Sequence, residues 1–171
     1  FGLLGQWFCK PNISSFFQKM DAIDVLVALF LTVFGAWAMF PAGFMNQHFA
    51  LSRPNLFVGR RVHTLITVSI SHVDAVHLGL NLATLLSVGR EVLSQVGPGQ
   101  FWLLWAISGL AGSFASLYAH PSHYQAVGAS GALYGLSGYL AASADSGYRV
   151  LCFGHVVTPA QSIVMNCAAA A

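Results

Sequence analysis

Charge is what this sequence has least of. Lys, Arg, Asp and Glu make up 7% of the chain, against about 25% in an average globular domain. No charged residue lies between Asp24 and Arg53, only Asp74 between Arg61 and Arg90, and none from Val92 to Ala144. A water-soluble fold could not cover its surface with such a chain. Hydrophobic residues reach 56%, and each charge-poor block is long enough to cross a bilayer at least once. The expectation is an all-α, polytopic transmembrane helix bundle in contact with membrane lipid.

Cysteine is scarce as well. Cys9, Cys152 and Cys167 form no CxxC and are odd in number, so neither a disulfide framework nor a zinc site is indicated. The formal net charge is +2 with no Lys/Arg run, which argues against nucleic acid as a partner. No cofactor or metal is expected. The stretch before Lys10 is too short and lacks the basic start of a cleavable signal peptide. The chain opens Phe1-Gly2 and closes on four alanines after Cys167, so both ends read as those of a processed or incomplete product. Residues 1–20 read as an N-terminal flank and 21–171 as one membrane domain.

Five segments can be placed. The first, Ala22 to Phe40, starts beside Asp21 and Asp24, whose carboxylates complement the helix dipole, and is closed by Pro41. Pro41 to His72 is too polar to span yet carries Phe44, Phe49, Leu56 and Phe57, which predicts an amphipathic excursion at the membrane surface. A second span runs from about Ala75 to Val92, before a turn at Gly97-Pro98-Gly99. The third, Phe101 to Ala119, has Trp102 and Trp105 near its start as expected interfacial anchors. The fourth runs from Ser130 to about Ala144, and a weaker fifth begins near Tyr148, interrupted by Gly154 and Pro159. Small residues recur along the fourth (Gly131, Gly135, Gly138, Ala142) and third (Ser108, Gly112, Ser116), the spacing of close helix contact in lipid. The Lys and Arg residues flank both sides of the spans, so orientation stays open.

Polar groups inside apolar spans need a reason. His77 and Asn81, four residues apart, share a helix face with His72 shortly before them. They offer directed hydrogen-bond donors, but taken alone they are better explained as tying helices together. The fourth helix opens Gly128-Ala129-Ser130-Gly131-Ala132. This places a serine at a helix N-terminus, where free N–H groups favour developing negative charge and glycines admit another backbone. Ala132 separates it from the Gly-x-Ser-x-Gly elbow of soluble hydrolases.

Together, His72, His77, Asn81, Gly89, Glu91, Gly128-Ala129-Ser130-Gly131 and Gly135 resemble the rhomboid family of intramembrane serine proteases. Upstream, Phe44-Met45, Phe49 and Arg61-Val62-His63-Thr64-Leu65-Ile66 look most like its mitochondrial, presenilin-associated branch. The resemblance covers roughly positions 40 to 165. It implies that Ser130 is the nucleophile attacking a peptide bond in or near a substrate's transmembrane helix. His77, Asn81 and the Ser130 N–H would form the oxyanion hole, with Gly128 giving close backbone approach. A mitochondrial inner-membrane location follows from the same resemblance alone. Tyr134 matches the family only loosely and reads as packing.

A rhomboid pairs its serine with a histidine on a sixth core helix, some fifty residues further on, and that helix is absent from this sequence. His155 follows Ser130 but falls short of it in depth, and reads as an interfacial or packing residue. His120 and His123 read as solvated loop residues, and their H-x-x-H spacing is a poor zinc signal without a third ligand. Nothing singles out His48 or His63. Arg90 and Glu91 are expected to pin a loop to neighbouring backbone. Two readings follow: a protease whose sixth helix lies outside the chain, or an inactive rhomboid-like scaffold that binds transmembrane helices within a larger inner-membrane complex. A transporter is disfavoured, because the spans hold no Asp, Glu or Arg relay.

Overall fold

The computed structural model describes residues 20–143, together with the backbone of Val150–Cys152 and His155–Val157. It is an all-α bundle. Helix α1 spans Ala22–Met39 and opens with a capping box: the Asp21 carboxylate accepts the N–H groups of Ile23 and Asp24, while the Asp24 carboxylate accepts that of Asp21. Reciprocal capping of this kind satisfies donors that an N-terminal turn leaves free. Pro41 then starts α2, Ala42–Phe49. The excursion continues through a π turn at Pro54–Val58, the short α3 at Thr64–Thr67, and a 3₁₀ turn at Val68–Ile70.

Helix α4, Ala75–Thr84, is capped by Asp74 and passes through a π turn at Leu85–Gly89 into α5, Arg90–Ala119. Gly97, at φ 75° and ψ 169°, breaks α5 into two helices. Only glycine takes this backbone without strain, and Pro98 fits the first turn of the helix that follows. Helix α6 spans Ser130–Ser143. Among the described residues, two stretches, Ala22–Met39 and the broken Ala75–Ala119, are long and apolar enough to cross a membrane.

Val150–Cys152 (β1) and His155–Val157 (β2) pair antiparallel, with Val150 opposite Val157. This differs from the helix expected to begin near Tyr148. Val150, Val156 and Val157 suit a strand, because β-branched side chains pack well on a pleated surface. The rest of that segment, and the side chain of His155, lie outside the described residues.

The core joins Ile23, Leu26 and Phe30 of α1 to Leu85, Val88 and Val92, to Phe101 and Trp105, and to Ala132, Leu136 and Leu140 of α6. Outward, Leu31, Met39, Val76, Leu103, Ile107 and Phe114 are exposed, a girdle that lipid rather than water would cover. Trp102 belongs with that exposed set, but Trp105 does not. Its ring stacks on Phe101 at 6.3 Å and approaches Phe30 at 6.1 Å, so it is a core residue and not an anchor. Arg90 and Glu91 also differ from expectation, meeting side chains instead of backbone. Arg90 lies 3.9 Å from Asp24, and Glu91 accepts from Gln95. Both contacts are exposed and contribute little.

Helix α6 lies against the second half of α5 through small residues. A Cβ on Gly112 would lie 2.7 Å from the Gly131 Cα, and one on Gly135 would strike the Ser108 side chain. Around Gly138 there is open space. Gly112→Val is therefore expected to destabilise the bundle by about 1–3 kcal/mol through overpacking, whereas Gly138→Ala stays near neutral. Thermal unfolding in mild detergent distinguishes the two.

Candidate active site

The segment between α5 and α6 carries no helix of its own at Gln125–Ala129, so its backbone groups need partners from elsewhere. The surface excursion supplies them. Leu51 and Ala126 exchange two N–H···O bonds at 2.9 Å as an isolated antiparallel bridge. The Gly128 N–H donates to the Val68 carbonyl at 3.1 Å, and the Ala129 N–H points to Nε2 of His72 at 3.4 Å. Arg53 donates to the Leu117 carbonyl at 2.8 and 2.6 Å, and the Ser113 hydroxyl to that of Leu65. The turn that presents Ser130 is thus fastened to residues 51–72 by backbone chemistry.

Ser130 starts α6 and lines a cavity of about 390 Å³. The walls include Ser69, Ser113, Ser116, His120, Tyr124 and Tyr134, with Gly109, Gly112 and Gly131 at the helix contact. Gly128 stands beside it at φ 121°, and a Cβ there would sit 2.5 Å from Cε1 of His77. The glycine is required twice, by backbone sign and by space. His77 accordingly packs directly on the turn before Ser130. Asn81 is buried on the same helix, but its amide nitrogen donates to the His77 carbonyl at 2.8 Å, so one of its N–H groups is bound to its own helix. Of the four expected site residues, Gly128 and Ser130 line the cavity, His77 meets Gly128 without lining it, and Asn81 sits one turn further along α4, also outside the lining.

Three neighbours of the site carry more than the sequence suggested. Tyr134, read as packing, borders the cavity. His120, read as a solvated loop residue, borders it too. Its ring stacks on Tyr124 at 4.0 Å, and its Nδ1 lies 3.1 Å from the Ser116 carbonyl. Tyr134 stands one turn after Ser130 on the same helix face, a spacing visible in the sequence, whereas His120 lies before the turn and gives no periodic signal. His72 is fully buried between Phe30, 4.7 Å away, and His77, 5.4 Å away. The five-residue interval from His72 to His77 was the visible clue.

His72 lies in the loop ahead of α4. Burial, followed by the nearby His77 imidazole, lowers its pKa from 6.5 to about 4. A neutral ring is what the Ala129 N–H requires, since Nε2 must accept. Nδ1 then carries the proton and has no partner among the described residues.

The chain thus folds as a helical bundle with a serine at a helix N-terminus, on the wall of a cavity bordered by the excursion between α1 and α4. A family model described as "Rhomboid domain" matches residues 59–170. The chain belongs to the rhomboid family and is an integral membrane protein. It is 30% identical over 146 residues to RHOMBOID-like protein 12, mitochondrial, of Arabidopsis thaliana, covering 74% of this chain and 43% of that protein. It is 30% identical over 123 residues to Rhomboid protein 1, mitochondrial, of Saccharomyces cerevisiae, covering 69% of this chain and 35% of that protein. Rhomboid protease GluP of Bacillus subtilis is 40% identical over 76 residues, 44% of this chain and 15% of its own length. The chain therefore spans less than half the length of each of these relatives.

Two outcomes are expected here. With a folded-state pKa near 4 against 6.5 unfolded, the unfolded chain binds the extra proton between those values. Stability is then full above about pH 6.5 and falls as pH drops towards 4, by about 3 kcal/mol in all. A pH series of thermal unfolding shows this slope, and His72→Gln flattens it. Gly128→Ala is expected to displace the His77 ring and to strain the turn by roughly 1–3 kcal/mol, read as a lower unfolding temperature.

Proposed function

We propose that this chain acts as an intramembrane serine protease that cleaves transmembrane-helix substrates, with Ser130 as the nucleophile. One observation carries the reading: Ser130 stands at the N-terminus of α6 on the wall of a cavity, with Gly128 and the His77 ring packed beside it. Attack by the Ser130 hydroxyl on a peptide carbonyl would put negative charge on the carbonyl oxygen. The Ser130 N–H at the helix N-terminus, His77 and Asn81 are the donors assigned to it. Asn81 would serve by turning its amide from the His77 carbonyl to the oxyanion, a bond made only as charge develops.

The hydroxyl must also lose its proton, and a serine without a base is a poor nucleophile. Resemblance to the family assigns that proton to a histidine on a further helix. His72 is unsuited to the task, because its Nε2 already faces the Ala129 N–H and holds the turn. The substrate is assigned to the class of membrane-spanning helices by the resemblance to the family. The names of the Arabidopsis and yeast relatives support a mitochondrial location, and the inner membrane is part of the same proposal.

The full-length protein in mild detergent is expected to react with a serine-directed fluorophosphonate, and Ser130→Ala to abolish the labelling. Equal labelling of the two proteins would overturn the assignment. His77→Ala and Asn81→Ala are each expected to lower kcat/KM on a transmembrane substrate by about 10²–10³-fold, with labelling stoichiometry less affected.

A further inference from the structure

We propose that His48 and His63 form a binding site for a divalent transition-metal ion of borderline softness, such as Zn²⁺ or Cu²⁺, on the surface excursion. His48 Nδ1 and His63 Nε2 lie 3.1 Å apart across fifteen residues of chain. Two imidazole nitrogens bound at about 2.0–2.1 Å, subtending a right angle to a tetrahedral angle, stand about 2.9–3.4 Å apart. The observed separation falls inside that range before any ion is bound.

The pair is also held in place. The Thr67 hydroxyl donates to the His48 carbonyl at 2.6 Å and lies 3.3 Å from that of His63, tying both backbones to one side chain. The Phe44 ring lies 4.7 Å from the His48 ring and backs it. As neutral rings, one nitrogen of the facing pair carries a proton and the other accepts it. Moving that proton to the far nitrogen of its own ring frees two lone pairs, with no net loss of protons. An ion off the N···N line needs the rings to turn, and histidine χ2 is a soft torsion. His63 is exposed, so water can complete the coordination. The Arg61 guanidinium is engaged by the Gln47 side-chain oxygen.

Such an ion would clamp α2 to α3 on either side of Leu51, the residue bridged to Ala126 ahead of Ser130. It would therefore stiffen one wall of the cavity. The proposal does not depend on whether Ser130 cleaves.

The test uses tag-free full-length protein in mild detergent, freed of metal by a chelator and titrated with Zn²⁺ calorimetrically. One site is expected, lost in both His48→Ala and His63→Ala, with a rise in unfolding temperature on Zn²⁺ addition in the parent protein alone. Electron paramagnetic resonance with Cu²⁺ should show two imidazole nitrogens in the parent and fewer in His63→Ala, a change at an exposed position that leaves the fold intact. Absence of binding, or loss in only one variant, overturns the shared site. So does a two-nitrogen copper signal that survives His63→Ala.

Discussion

Everything near Ser130 depends on satisfying the backbone of the short non-helical segment that leads into α6. A buried N–H or C=O left unpaired costs several kcal/mol, so the approach to α6 requires a dedicated set of partners. Leu51, Val68 and His72 provide it from one side. The surface excursion is thus the scaffold for the serine's turn, and its polarity, odd for a membrane protein, has a purpose. Asn55 shows the same economy within the excursion, donating to the carbonyls of Asn46 and Ala50.

On the opposite side, the turn is held by shape. Gly112 and Gly131 allow α5 and α6 to approach until backbone meets backbone, and Gly128 admits the His77 ring. Lipid supplies no hydrophobic drive for helix association, so this close contact and the dispersion it permits take that role. The Trp37 indole, donating to the Ser71 hydroxyl at 2.9 Å, links α1 to the loop that carries His72. Core packing and site geometry are one network, and a change at the α5–α6 contact moves the wall on which Ser130 sits.

Much of this was legible in the residues. Charge-poor blocks located the spans, Asp21 and Asp24 marked the start of α1 almost to the residue, and Gly97-Pro98 marked the break in α5. Gly112, Gly131 and Gly135 marked the α5–α6 contact, and the interval from His72 to His77 marked two rings that the fold brings together. Other features were hidden for physical reasons. Trp105 is amphipathic, and only three-dimensional packing decides whether such a ring faces lipid or core. Asn81 can bond either across the site or back to its own helix, and spacing does not choose between them. His120 lies in a loop, and His48 on α2 meets His63 only through the path of the chain between them, which has no period to read.

The lining of the cavity beside Ser130 has one more consequence. Its wall carries the hydroxyls of Ser69, Ser113, Ser116 and Tyr124, in a bundle whose outer face presents Leu103, Ile107 and Phe114. Hydroxyls grouped in this way can each hold a water molecule by hydrogen bonds, where apolar side chains alone would leave the space dry. They act as a wick, drawing to the serine the solvent that the proposed hydrolysis consumes.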